Sequence, residues 1–225
     1  MSEYAIEMNN ITKTFPGVVA NDKVTLQVKH QEIHALLGEN GAGKSTLMSI
    51  LFGSYSADSG SILLDGKPVE IKNPNVATSL GIGMVHQHFK LVQNYTVTEN
   101  IVLGVEPTKG RLLDMKRARE RVEALSSQYS LKVDPDSLVE DITVGQQQRV
   151  EILKTLYRNA NIIIFDEPTA VLTPQEIDEL MEILKKLRSE GKTIVLITHK
   201  LKEIKEVCDR CTVLRRGRCI GTVDV

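Results

Sequence analysis

The chain has 225 residues, 41% hydrophobic and 25% charged, and its 28 basic and 29 acidic side chains leave a net charge of −1. That length supports a core without a disulfide or metal staple, and the composition excludes a disordered, collagen-like or low-complexity chain. Near-neutral charge argues against coating nucleic acid, leaving room only for a local basic patch, and 4 Phe, 5 Tyr and no Trp are too few to stack single-stranded bases.

Met1 to Asn10 carries Glu3 and Glu7 and no apolar core, so it does not read as a secretory signal. No run reaches the roughly 18–20 apolar residues that span a bilayer. A cytoplasmic chain is expected, with reduced, partly buried thiols at Cys208, Cys211 and Cys219. The C-x-x-C spacing of the first two lacks a second ligand pair.

Tyr4 to Val28 reads as short antiparallel strands with turns at Asn9-Asn10 and Pro16-Gly17. Ile33 to Leu37 is a short apolar strand ended by Gly38. A glycine-rich turn follows, then a helix over Lys44 to Phe52 stopped by Gly53. Residues 60 to 71 resume strand character around Asp65-Gly66, and Gly81 to Val85 is a further strand. From about His88 to Tyr129 the pattern turns mostly helical. Asp114 is placed to cap a helix with Met115, Ala118, Val122, Leu125 and Tyr129 on one face.

Strand and helix then alternate again. Ile162 to Phe165 is apolar on both faces, as a buried parallel strand requires. Thr173, Pro174 and Glu176 form a helix start with a capping box, followed by the stripe Ile177, Leu180, Met181, Leu184 and Leu187 and a stop at Gly191. Thr193 to Ile197 is the next buried strand. Thr212–Leu214 and Ile220–Val223 form a hairpin around Arg216-Gly217.

Gly38-Glu39-Asn40-Gly41-Ala42-Gly43-Lys44-Ser45 matches G-x-x-x-x-G-K-[ST] at every fixed position. Glycines let consecutive backbone N–H groups turn toward one anion, and the helix that follows points its positive end there. Lys44 is placed for the β- and γ-phosphates and Ser45 for Mg²⁺. Asp166 and Glu167 end the buried strand, where carboxylates of an open α/β sheet face the ligand crevice. Asp166 is suited to hold Mg²⁺, directly or through water, and Glu167 to polarise a water. His86 and His88 flank Gln87 at i, i+2 but lack a third metal ligand nearby.

The loop Gly38–Ser45, the pair Asp166-Glu167, and Thr143-Val144-Gly145-Gln146-Gln147-Gln148-Arg149 some 20 residues earlier resemble an ATP-binding-cassette (ABC) ATPase. The family signature L-S-G-G-Q is matched by Ile142-Thr143-Val144-Gly145-Gln146, with Val144 replacing a glycine, and the stretch opens a helix expected over Gln146 to Tyr157 that aims its positive end at phosphate. The resemblance implies an α/β fold: a P-loop NTPase core with a parallel sheet, a small antiparallel β subdomain and an inserted α-helical subdomain. One nucleotide-binding domain is expected over residues 1–225, its helical subdomain at approximately 88–160.

The same resemblance assigns Asn40, Gly41, Ala42, Gly43 and Thr46, with Gly38, Lys44 and Ser45, to the nucleotide. It puts Phe15 against adenine, Gln87 at Mg²⁺ and the attacking water, and His199 at the γ-phosphate. Thr143, Gly145 and Gln146 would close over a nucleotide held by a second cassette. Ala170 to Thr173 occupies the loop that crosses between cassettes, where Thr173 stands in place of the usual Asp.

Val144-Gly145, Asp166 to Pro174 and Lys200-Leu201-Lys202-Glu203 look like the importers of nucleosides and simple sugars. That group implies ATP and Mg²⁺ as cofactors and two tandem cassettes in one polypeptide. It also implies transmembrane permease subunits and, indirectly, an extracellular solute-binding protein, with the cassette peripheral on the cytoplasmic face of the membrane. No nucleic acid partner is expected. The rival classes are a non-transport cassette ATPase of translation or DNA repair, which carries coiled-coil insertions or basic arms absent here, and a phosphate-loop kinase, in which Thr143–Arg149 would have no role.

Overall fold

The computed structural model describes residues 2–225. β1 (Tyr4–Phe15) and β2 (Val18–Lys29) form a hairpin, and β3 (Ile33–Leu37) leads through the glycine loop into α1 (Lys44–Leu51). Then come β4 (Ser59–Leu64), β5 (Lys67–Val69), α2 (Pro74–Ser79) and β6 (Ile82–Val85). The next stretch holds α3 (Val97–Val102), the small hairpin β7 (Thr108–Lys109) and β8 (Leu112–Leu113), α4 (Met115–Tyr129) and α5 (Val144–Tyr157). β9 (Ile162–Asp166), α6 (Pro174–Ser189), β10 (Thr193–Thr198), α7 (Leu201–Val207), β11 (Arg210–Arg215) and β12 (Arg218–Asp224) complete the chain.

The main sheet has the order β12-β11-β3-β10-β9-β6. Every pair in it is parallel except the edge pair β11–β12. A second, antiparallel sheet runs β2-β1-β4-β5. The central strands are covered on both faces, and their alternate residues feed two cores. Ile163 and Phe165 of β9 and Ile194 and Leu196 of β10 pack with α5 and α6, whereas Ile162, Ile164, Val195 and Ile197 pack with α1 and the antiparallel sheet. Burial on both faces is why these strands read as continuous apolar runs.

Three expectations need correction. Asn9-Asn10 is not a turn: β1 runs through it, with Asn10 at φ 51° inside a register shift between Met8 and Ile11. Asparagine tolerates the left-handed region, so a local bulge re-aims the strand without ending it. Residues 88–129 are less helical than expected, because α3 has only 6 residues and 108–113 forms a hairpin. Leu112 and Leu113 stand exposed at 76% and 63%, so their apolar character marks no buried helix face. Finally, α5 begins at Val144, two residues before the expected Gln146, because Thr143 is its cap.

The other caps agree with the sequence. Asp114 accepts from the Arg117 N–H, and Thr173 with Glu176 forms a full capping box ahead of Pro174. Among the described residues no helix is long and apolar enough to cross a membrane.

Candidate nucleotide site

The glycine loop leaves the C-terminal end of β3 and enters α1 at Gly43, which adopts φ 97°. A Cβ there would lie 2.3 Å from the Ala20 carbonyl oxygen, so only glycine fits. The chain around the loop is bound to distant parts of the molecule. Gly217 N–H donates to the Ala42 carbonyl at 3.1 Å, Asp22 N–H to the Gly217 carbonyl at 2.7 Å, and the buried Asn21 amide to the Gly43 carbonyl at 3.1 Å. Asn21 Oδ1 is the only buried side-chain polar atom without a partner among the described residues.

Lys44 is 4% exposed and folds back on its own loop, donating to the carbonyls of Gly38 at 2.7 Å and Glu39 at 3.0 Å. The next residue reaches across to β9: Ser45 Oγ donates to Asp166 Oδ1 at 3.1 Å. Burial, with the neighbouring Glu167 charge, holds the Asp166 carboxyl above its ordinary value against the opposing pull of Ser45 and Lys44.

Glu167 has φ 45°, a left-handed conformation uncommon for a side chain of its size, and its N–H donates to the Ile197 carbonyl at 3.0 Å. Its Oε1 lies 4.0 Å from Lys44 Nζ and 3.5 Å from His199 Nδ1. His199 is brought there because Ile197 of β10 pairs in register with Asp166 of β9.

Phe15, Asn40, Gly41, Ala42, Gly43, Lys44, Ser45, Thr46, Gln87 and Glu167 line one cleft of about 480 Å³. Phe15 meets Tyr55 edge to face at 5.4 Å and lies under Lys13 Nζ at 5.5 Å. Thus most of the residues expected at the nucleotide line one cleft, although they come from β1, the glycine loop, the turn after β6 and the end of β9; Gly38, Asp166 and His199 do not line it.

Thr143, Gly145 and Gln146 line no part of that cleft. They form the N-terminus of α5, where Thr143 Oγ1 accepts from Gln146 N–H at 3.3 Å and Gln146 Oε1 from Thr143 N–H at 2.9 Å. Gly145 N–H donates to Glu176 Oε1 at 3.2 Å.

Several contacts escaped sequence reasoning: Asn21 under the loop, Tyr55 beside Phe15, Glu176 of α6 against the start of α5, and the buried Gln148 and Glu203 behind Glu167. For Glu203 the available signal was its position. On α7 it shares a buried face with Ile204 and Val207, an unusual place for a carboxylate without partners. The cysteines are ordinary by contrast. Burial pushes the Cys208 thiol up to about 12, and the described residues contain no cluster of three or more His, Cys, Asp or Glu side chains placed for a metal.

A phosphate loop joined to a strand-end carboxylate pair, within this mixed sheet, defines a nucleotide-binding cassette, and comparison with known proteins agrees. Residues 21–170 match the family model described as "ABC transporter", and the chain belongs to that family.

It is 61% identical over 224 residues to the nucleoside import ATP-binding protein NupA of Lactococcus lactis, covering 100% of this chain and 44% of that one. It is 63% identical over 223 residues to the guanosine import ATP-binding protein NupO of Bacillus subtilis, covering 99% and 44%. The chain therefore spans less than half the length of these relatives. Among solved structures it resembles a nucleotide-free ATP-binding cassette from an ABC transporter (TM-score 0.88, 25% identity, 98% and 91% of the two chains). It also resembles a dimeric bacterial ABC transporter cassette (TM-score 0.82, 28% identity, 97% and 98%).

Proposed function

We propose that the chain is the ATP-binding and ATP-hydrolysing cassette of an importer, with nucleosides as the favoured cargo and simple sugars as the alternative. The carrying observation is that Lys44, Ser45 and Glu167 line one cleft while Asp166 meets Ser45 and His199 meets Glu167 beside it. The nucleoside preference rests on relatives at 61% and 63% identity whose names specify nucleoside and guanosine import.

In this reading the loop amides of Gly41 to Ser45 and the N-terminus of α1 bind the phosphates, and Lys44 turns from the Gly38 and Glu39 carbonyls to them. Phe15 packs on the base. Ser45 and Asp166 offer adjacent hard oxygen donors, and the half-buried Asp166 charge is one that a cation would relieve, so the pair fits Mg²⁺, with Gln87 at the cleft wall as a further oxygen donor. Mg²⁺ there would neutralise charge on the phosphoryl oxygens. Glu167 takes a proton from the water that attacks the γ-phosphorus as the bond to the ADP oxygen breaks. His199 orients the γ-phosphate.

Thr143, Gly145 and Gln146 serve a second cassette's nucleotide. That second cassette belongs to the same longer polypeptide. The assembly is peripheral on the cytoplasmic face, coupled to permease subunits through residues Gln87 to Asn100 of the helical region, and an extracellular binding protein delivers the solute.

Glu167→Gln is expected to keep MgATP binding and to slow turnover of the full transporter by on the order of 10²-fold or more. Turnover within a few-fold of wild type would remove Glu167 as the base.

A further inference from the structure

Glu167 carries the chemistry in the reading above, yet its carboxylate is not anchored. Its contacts to His199 at 3.5 Å and Lys44 at 4.0 Å are too long for firm hydrogen bonds. Its position must come from backbone on either side. Strand β9 holds the preceding residue; the following residues, Pro168 and Thr169, lie outside any strand or helix.

These two residues are held by buried side chains from two helices. Gln148 of α5 donates to the Pro168 carbonyl at 2.9 Å. Glu203 of α7, 4% exposed, does more. Its Oε1 accepts from Thr169 Oγ1 at 2.6 Å, and its Oε2 from Thr198 Oγ1 at 2.8 Å. Lys200 Nζ closes the cluster, donating to Thr169 Oγ1 at 2.9 Å and lying 3.3 Å from Glu203 Oε1. Thr198 Oγ1 in turn accepts from the Lys200 N–H at 3.1 Å. One carboxylate thus grips a residue two after Glu167 and a residue immediately before His199.

We propose that Glu203 is a positioning residue for hydrolysis: through Thr169 and Thr198 it fixes the spacing between the Glu167 loop and the His199 turn. The inference rests on the reading of Glu167 and His199 as the hydrolytic pair. The Glu203 carboxylate is buried while its partner Lys200 is 38% exposed, and taking one charge of a pair out of water leaves little net stability compared with an apolar filling of the same space. What it supplies is direction, since two hydroxyls and an ammonium must meet one carboxylate in a single arrangement. A displacement of about 1 Å at a reacting group costs on the order of 10²-fold in rate.

The test uses the full-length protein in its membrane assembly and compares Glu203→Ala, Thr169→Val, Thr169→Ser and Glu167→Gln. Glu203→Ala and Thr169→Val are expected to lower kcat about 10- to 100-fold with KM for MgATP within a few-fold of wild type. Thr169→Ser keeps the hydroxyl and is expected to retain near-wild-type kcat. Hydrogen exchange at the Glu167 amide, which donates to Ile197, should quicken in Glu203→Ala.

If Glu203→Ala does not fold, the Thr169→Val and Thr169→Ser pair decides. Equal kcat in those two variants, or kcat within two-fold of wild type in a folded Glu203→Ala, overturns the inference while the slow Glu167→Gln leaves the hydrolytic reading standing. A Glu167→Gln that turns over like wild type removes that reading, and the inference with it.

Discussion

The N-termini of α1 and α5 each carry a glycine in or beside the first turn, yet they are finished in opposite ways. At α1 the cap is Gly43, with no side-chain cap and no acidic residue in the first turn. At α5 Thr143 and Gln146 form a reciprocal capping box, and the Glu176 carboxylate takes the Gly145 N–H as well. Helix N-termini carry unpaired donors and partial positive charge. α5 satisfies its Gly145 and Gln146 donors from within the chain, whereas α1 has no side-chain cap and goes without the stability one would add, which on the proposed function leaves its donors to the phosphates. On the proposed function, a second nucleotide reaching α5 must compete with Glu176, which α1's ligand need not do. At their other ends the two helices share a neighbour: His86 meets Phe52 after α1 edge to face and lies near Lys154 in the last turn of α5.

The largest expected break in this contrast comes from Lys44→Ala. Loss of a charge-assisted contact is expected to weaken MgATP binding by about 10²-fold, measured by calorimetry. The corresponding change at α5, Thr143→Ala, should leave the affinity of this cleft within two-fold. Equal losses from the two would mean the helices are not functionally distinct.

Next in size is a pair of glycine substitutions. In Gly43→Ala the new Cβ meets backbone, the Ala20 carbonyl oxygen at 2.3 Å, with φ at 97°. A loss of about 3 kcal/mol is expected in urea unfolding. In Gly145→Ala the Cβ meets only the Glu176 side chain, its carboxylate at 2.4 Å, so Glu176 shifts at the expense of its contacts to Gly145 and Thr173 and the loss is about 1–2 kcal/mol. Similar unfolding midpoints for the two variants would show that the two glycines are equally constrained.

Thr143→Ala itself should cost about 1 kcal/mol of stability, the usual worth of a helix cap. No change in the thermal midpoint would indicate that Glu176 alone finishes α5.

The smallest effect is a pH dependence. Burial, then the charges of Lys90 and Lys154, lower His86 from 6.5 to about 4 in the folded chain. The unfolded state binds the proton more readily, so the stability from neutral His86 is present above pH 6.5 and is lost as pH falls toward 4. Urea midpoints at pH 7 and pH 5 should differ less in His86→Gln than in wild type. An unchanged difference would place the acid sensitivity elsewhere.

The sequence by itself determined whatever depends on near neighbours. The glycine loop was legible because a phosphate cradle needs glycines and a lysine at fixed short spacing. The capping box at Thr173–Glu176 and the cap at Asp114 were legible because each closes within one helical turn. The buried strands showed themselves because burial on both faces leaves no polar alternation. Residues 88–129 were misjudged because apolar residues at Leu112 and Leu113 are exposed, and a periodicity argument assumes that apolar means buried.

Only the tertiary structure decided which distant side chains meet. Glu203 and Thr169 are 34 residues apart, and Glu176 and Gly145 are 31 apart. Neither pairing follows from spacing. They follow from β10 lying between β3 and β9 and from α5 and α6 packing on one face of that sheet. A hydrogen bond acts over about 3 Å, and the chain's path alone does not say which residues come within that reach; the order of strands in the sheet does.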